Sequence, residues 1–255
     1  MEIKHYRYNA FIIENEKIKI AIDPGLNLLW YKLNSLIPKS EWKGVTHILV
    51  THGDPDHFVH TVKMAKATKA PIICGKPLIE KGKLKNVESV QGIGVGEIID
   101  LKDFQIEGIK TVHGPLVVKS FFGLLKYEYK PIKPGCMPGP GERIGLGAIG
   151  FKINIENKTI ANLGDTLLQK EWEGLRPDVL MIPIGGRVVK NTMDEEEALD
   201  AIKLMSPRKV IPCHYNGDFL WIRNINPANA DMFKSEVERM GIECIIMKYG
   251  DEILV

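Results

Sequence analysis

Thr46-His47-Ile48-Leu49-Val50-Thr51-His52-Gly53-Asp54-Pro55-Asp56-His57 is the stretch on which the fold turns. Residues 46–50 are apolar and β-branched, as in a strand buried on both faces, and they deliver the chain directly into His52, Asp54, Asp56 and His57. Side chains of these types, crowded so closely, repel one another or go unsatisfied unless a cation, or several hydrogen-bond donors, compensate them. Gly53 and Pro55 constrain the turn so that neighbouring side chains splay to opposite sides. A helix over 56–69 is expected to follow, with Val59, Val62, Met64 and Ala65 on its inner face and its N-terminus offered to Asp56. One turn can therefore feed two adjacent metal positions.

Working outward, residues 9–13 and 18–22 are β-rich runs separated by a polar 14–17, which reads as a hairpin ending at Asp23-Pro24-Gly25. A short strand over 71–74 follows the first helix. Three later segments run from strand into polar loop: 104–112 into His113, 158–163 into Asp165, and 210–212 into His214. Helices are expected over 194–205, opened by Thr192 and three acids, and over 227–240, closed by Gly241. Strands alternating with helices, with hairpins early in each half, argue for stacked sheets covered by helices. Residues 114–145 differ in composition, holding Phe121-Phe122-Gly123-Leu124-Leu125 and then Pro131, Pro134, Pro138 and Pro140. That segment reads as a flap or a loop between halves, its aromatic cluster being either a lid tip or a contact between copies of the chain.

Bulk properties narrow the class. A chain of 255 residues suits one large domain or two intimately packed halves, and 1–255 is read as a single domain. With 44% hydrophobic and 26% charged residues and no long apolar run, it should fold in water without crossing a membrane. Residues 1–8 lack the apolar stretch of a secretory signal, so a cytoplasmic location is expected. Cys74, Cys136, Cys213 and Cys244 form no C-x-x-C pair and read as free thiols rather than a disulfide frame or zinc knuckle. A net charge of +2 gives no general field for nucleic acid, and Lys63, Lys66 and Lys69 read as the wet face of a helix.

A metal site needs ligands converging from elsewhere, and His113, Asp165 and His214 are the candidates. Taken singly, the histidines fit ordinary loop positions and Asp165 fits a helix cap. Together with the first cluster they point to metal. At this point the chain resembles the metallo-β-lactamase superfamily, whose pattern is H-x-H-x-D-H after a strand, then a distant His, Asp and His. The resemblance spans Asp23-Pro24, the first cluster, His113, Gly164-Asp165 and His214. A subgroup of metal-dependent hydrolases near the ascorbate-6-phosphate lactonase branch is similar through 181–186, Thr192-Met193-Asp194 and Ile211-Pro212-Cys213-His214-Tyr215-Asn216.

The resemblance implies an α/β fold of α+β type, a four-layer αββα sandwich with metals at one edge. It implies that His52, Asp54 and His113 hold one ion, that Asp56, His57 and His214 hold the other, and that Asp165 bridges. Asp23 would orient a ligand histidine from behind. The departure is Asp54, where the pattern has histidine: its oxygen brings hard character, so two divalent ions are expected with zinc first and manganese or iron as alternatives. The leading expectation is a hydrolase that uses a hydroxide activated by two metals on an ester, lactone or phosphoester of a small metabolite. Catalysis is assigned to Asp56, Asp165 and His214, with Asp56 orienting the nucleophile. Arg187 and Lys190 are weaker candidates for binding an anionic substituent. The alternatives are a di-iron redox enzyme acting on oxygen, nitric oxide or a sulfur species, motivated by Asp54, and a member whose site has eroded to a structural one.

Overall fold

The computed structural model describes residues 1–27, 34–82, 84–115, 117–118, 127–128, 144–218 and 223–255. The first part of the chain forms β1 (Glu2–His5), β2 (Phe11–Glu14), β3 (Lys19–Ile22), β4 (His47–Val50), α1 (Pro55–Phe58), α2 (Thr61–Thr68), β5 (Ile72–Gly75), α3 (Lys76–Glu80) and β6 (Val90–Ile93). Then come β7 (Ile98–Leu101), β8 (Phe104–Ile109), the small ladder of β9 (Val117–Val118) and β10 (Tyr127–Glu128), β11 (Gly150–Ile155), β12 (Lys158–Asn162) and β13 (Val179–Pro183). The chain closes with α4 (Glu195–Met205), β14 (Lys209–Cys213), α5 (Ala230–Arg239), β15 (Glu243–Cys244) and β16 (Glu252–Leu254).

Among the described residues, two sheets of seven strands share one plan, ordered β16-β1-β2-β3-β4-β5-β6 and β15-β14-β13-β12-β11-β8-β7. In the first, β16 to β3 are antiparallel neighbours and β3 to β6 parallel ones. In the second, β7, β8, β11 and β12 are antiparallel and β12 to β15 parallel. The central strands read as continuous apolar runs because both of their faces are covered. Leu49 joins Phe11, Ile13, Ile153 and Met181 in the core between the sheets. Its neighbours Ile48 and Val50 pack outward with Met64, Ala65 and Leu78 of the helices. In the second sheet Met181 and Ile211 face inward, while Leu180 and Val210 pack against Ala198, Ile202 and Phe233 of α4 and α5. Helix, sheet, sheet and helix thus stack as four layers around three apolar seams. Among the described residues no helix is long and apolar enough to cross a membrane.

Several local expectations change. The expected hairpin is present as β2 and β3, but β1 precedes it and ties the first sheet to β16 near the end of the chain. The helix expected over 56–69 is two helices, because the His60 N–H donates to Pro24 O at 3.0 Å instead of continuing the helical ladder. That break turns Val59 outward to 44% exposure, so it does not belong to the inner face, whereas Met64 and Ala65 are buried there. α4 opens one step later than its acids suggested: Asp194 is the N-cap, in a reciprocal capping box with Glu197. Thr192 is instead buried, its hydroxyl bonded to the Thr166 backbone. α5 starts after an Asn229 cap rather than at Pro227, since the Asn229 side chain takes the Met232 N–H. Cys74, Cys213 and Cys244 are free and buried, while Cys136 lies outside the described residues. So does most of the 114–145 segment, including Phe121, Phe122, Leu124 and Leu125.

Candidate metal centre

The strand exits meet at one edge of the sandwich. β4 leads through Thr51 into His52 and the turn, where the Asp54 carbonyl accepts the His57 and Phe58 N–H groups and Pro55 opens α1. The turn needs Gly25 opposite it, since a Cβ there would lie 1.9 Å from Asp56 O. β12 ends at Asn162, and Gly164, at φ +60 with Thr51 packed where its Cβ would be, swings Asp165 into the cleft. β14 ends at Cys213, after which His214 adopts φ 52, a left-handed conformation rare for such a residue.

The seven side chains named from sequence come together. His52, His113 and Asp165 form one group and Asp56, His57 and His214 another, the ligand atoms of each lying within 4.8 Å of one another. Asp54 Oδ2 lies 3.6 Å from His52 Nε2 and 3.4 Å from His113 Nε2, which places it at the first group. Asp165 stands between the two. Its Oδ2 is 3.8 Å from His113 Nε2 and 3.1 Å from His214 Nε2, and its Oδ1 is 3.8 Å from His57 Nε2. Asp56 Oδ2 lies 3.5 Å from His57 Nε2 and 3.3 Å from His214 Nε2.

Whether this set suits metal can be judged from what its atoms lack. Among the described residues, His52 Nε2, His57 Nε2 and Asp165 Oδ1 are buried with no hydrogen-bond partner, a costly state for polar atoms. Their other ends are well supplied. His57 Nδ1 lies 2.7 Å from Asp23 Oδ2, His113 Nδ1 lies 2.7 Å from Gly114 O, and His52 Nδ1 lies 3.1 Å from Thr51 Oγ1. Carboxylate and carbonyl acceptors fix the proton on Nδ1 of His57 and His113 and leave Nε2 bare towards the cleft, as metal-binding imidazoles require. The donor set of imidazole nitrogens and carboxylate oxygens suits divalent zinc, manganese or iron.

Electrostatics agree. Burial, reinforced by His57 and His113 alongside, pushes His52 well below its ordinary value. Burial also opposes charge on His57, yet Asp56, Asp23 and Asp165 around it overcome that and raise its imidazole well above the ordinary value. Burial alone would raise Asp56, but His57 and His214 hold it well below the usual carboxylate range. Burial raises Asp54. The three carboxylates around His57 thus favour positive charge in the cleft, a demand that a metal ion would meet.

Asp23, fully buried at φ 46, also binds the Thr51 backbone and hydroxyl at 2.7 and 2.6 Å. Arg187 and Lys190 have partners of their own: Arg187 pairs with Glu195 at 2.6 Å, and Lys190 with Asp194 and Glu197. Sequence reasoning missed several supporting side chains. Asn191 Nδ2 donates to Asp165 Oδ2 at 2.9 Å, Asn226 Nδ2 to His214 O at 2.9 Å, and the Gly145 N–H to Asp54 Oδ1 at 3.0 Å. Asn9, Thr51 and Asn162 lie behind Asp23. Only Thr51 carried a signal, by adjoining the first cluster; the asparagines lie on loops and strand ends with no spacing to mark them.

The family model described as "Beta-lactamase superfamily domain" matches residues 2–214. A UPF0173 metal-dependent hydrolase of Nanoarchaeum equitans is 34% identical over 257 residues, covering 99% of both chains. Another, from Desulforamulus reducens, is 31% identical over 220 residues, covering 85% of each. Among solved structures, Igni18, a metallo hydrolase of Ignicoccus hospitalis, shares the fold at TM-score 0.74 and 22% identity, over 99% of this chain and 97% of its own.

Proposed function

Because the chain belongs to the beta-lactamase superfamily and, within it, to the UPF0173 metal-dependent hydrolases, we propose that it hydrolyses an ester, lactone or phosphoester of a small metabolite at a site for two divalent ions. The observation that carries this reading is Asp165, whose two oxygens face both groups of ligands while its Oδ1 and the Nε2 atoms of His52 and His57 are buried without a hydrogen-bond partner among the described residues. Two bound cations would supply an acidified water and positive charge for the oxyanion that develops on the substrate.

The chain's own residues do the rest. His52, His113 and Asp54 would hold one ion, His57, His214 and Asp56 the other, and Asp165 would set the spacing between them. Asp56, whose Oδ2 lies beside His57 Nε2 and His214 Nε2, would orient the attacking water. Asp23 keeps the His57 Nδ1 proton, so that Nε2 stays available as a ligand. Arg187 and Lys190, each paired with acids of α4 or its cap, would have to share those partners to bind an anionic substituent of the substrate. Zinc is the first expectation for the metal. Asp54 favours a second reading, iron and redox chemistry, since it adds an oxygen donor to the first group.

Protein purified without chelators separates these readings. Two equivalents of zinc or manganese, with turnover of bis(p-nitrophenyl) phosphate or a simple lactone, support hydrolysis. Stoichiometric iron with a charge-transfer band supports the redox reading, and bound metal without turnover of any such substrate sinks the enzyme reading.

A further inference from the structure

Behind the metal ligands, in the apolar seam between the sheets, lies a polar pair that the chemistry above does not use. Asn9 precedes β2, Asn162 ends β12, and both are fully buried. Their amides pair reciprocally across the sandwich, each Nδ2 donating to the other's Oδ1 at 3.0 Å. Every remaining hydrogen of the pair is used, one of Asn9 going to Asp23 Oδ2 at 2.7 Å and one of Asn162 to Met181 Sδ at 3.3 Å.

The polarity of the pair has one solution. Asp23 only accepts, so Asn9 must turn its NH2 towards it; flipping that amide would set Oδ1 against the carboxylate. With Asn9 Nδ2 so committed, Asn162 must offer Oδ1 to it and Nδ2 to Asn9 Oδ1. The ends of this chain of bonds touch both halves of the metal centre. On one side Asp23 holds His57 and Thr51. On the other, Asn162 Oδ1 also accepts the Gly164 N–H at 3.2 Å, directly before Asp165, and Asn9 Oδ1 accepts from Cys213 Sγ at 3.5 Å, directly before His214. The apolar contacts around it are non-directional and tolerate small slides of one sheet over the other, whereas metal ligands must sit within about 0.2 Å of their places.

We infer that the Asn9–Asn162 pair registers the two sheets at the metal centre, holding Asp165 and His214 in place relative to His57; this rests on the two-metal reading above. These are positioning residues. Hydrogen bonds supply the directional lock that aliphatic packing lacks, and Asp23 transmits it to His57.

Cobalt(II) alone, added to the metal-free full chain, is the probe. Wild type should bind two ions with a magnetic coupling visible by EPR. Asn9→Ala and Asn162→Ser should each weaken the second binding step by about 10–100-fold and change that coupling. The double variant should be no weaker than the worse single one, since either change breaks the same link. Asn162→Ser keeps the Asn9–Asp23 bond and carries the test if Asn9→Ala does not fold. Asn15→Ala is the control: it cuts the 2.7 Å bond from Asn15 Nδ2 to Glu156 Oε1, which joins the sheets at the other end of the sandwich, and should leave both readouts unchanged. A folded Asn162→Ser chain with wild-type affinity and coupling, whatever its melting temperature, overturns the inference alone. A wild type that takes up no cobalt overturns the two-metal reading and the inference with it.

Discussion

The two sheets follow one strand plan yet furnish the cleft differently. The first supplies His52, Asp54, Asp56 and His57 from a single turn after β4, held from behind by Asp23 at the end of β3. The second supplies His113, Asp165 and His214 from the exits of three separate strands, each steadied by a different neighbour: Gly114 O, Asn191 and Asn226. One half therefore presents a preassembled cluster, and the other a set of single ligands whose spacing depends on the whole sheet. Damage to a lone ligand of the second half should consequently empty the site more completely than an exchange within the first.

Asp165→Asn is the sharpest way to break the comparison, because it removes charge from the group facing both triads. Activity should fall by at least about 1000-fold and bound metal from two equivalents to one or fewer, read by elemental analysis and turnover. Retention of two equivalents would sink the bridging role. His5, buried on Phe11 in the first half, tests a different dependence. Burial pushes its imidazole down to about 4 from 6.5, so the unfolded chain takes a proton that the folded chain refuses. Its contribution to stability is full above pH 6.5, declines as pH falls and levels off near pH 4, an effect on the order of 3 kcal/mol. Denaturant titrations in chelator at pH 7.5 and 4.5 should show His5→Phe losing less stability on acidification than wild type; equal losses would refute it.

Asp54→His exchanges one ligand inside the cluster and should only retune it. Zinc should gain on manganese by about 10-fold in competition binding, and an unchanged ratio would place Asp54 outside the coordination sphere. The smallest effect belongs to Asp194→Ala, which removes the cap of α4 in the second half. It should cost about 1 kcal/mol of stability with metal content intact, as denaturation and elemental analysis can check.

Much of this was legible in advance. The apolar runs at 46–50 and 210–212 show buried parallel strands because covered strands have no polar face, and ligands at strand exits mark the edge where the sheets meet. The break at His60 was invisible, since its cause is a bond to Pro24 O, far back in the chain. The partners of Arg187 and Lys190 were equally invisible, because cations beyond a strand do not announce the acids of α4 and its cap that pair with them. Asn9 and Asn162 carry no pattern at all, their meaning coming only from meeting Asp23 and each other.

The amino-acid order alone determined the chemistry available: which side chains can bind a cation, that four of them crowd one turn, and which strands are covered on both faces. These are local properties, readable from residue type and period. Tertiary structure alone decided that His113, Asp165 and His214 converge on that turn, that Asp165 reaches both groups, and that buried amides link the sheets behind them. Convergence depends on the packing of whole sheets, where a displacement of an ångström separates a metal site from scattered polar residues, and no local pattern encodes it.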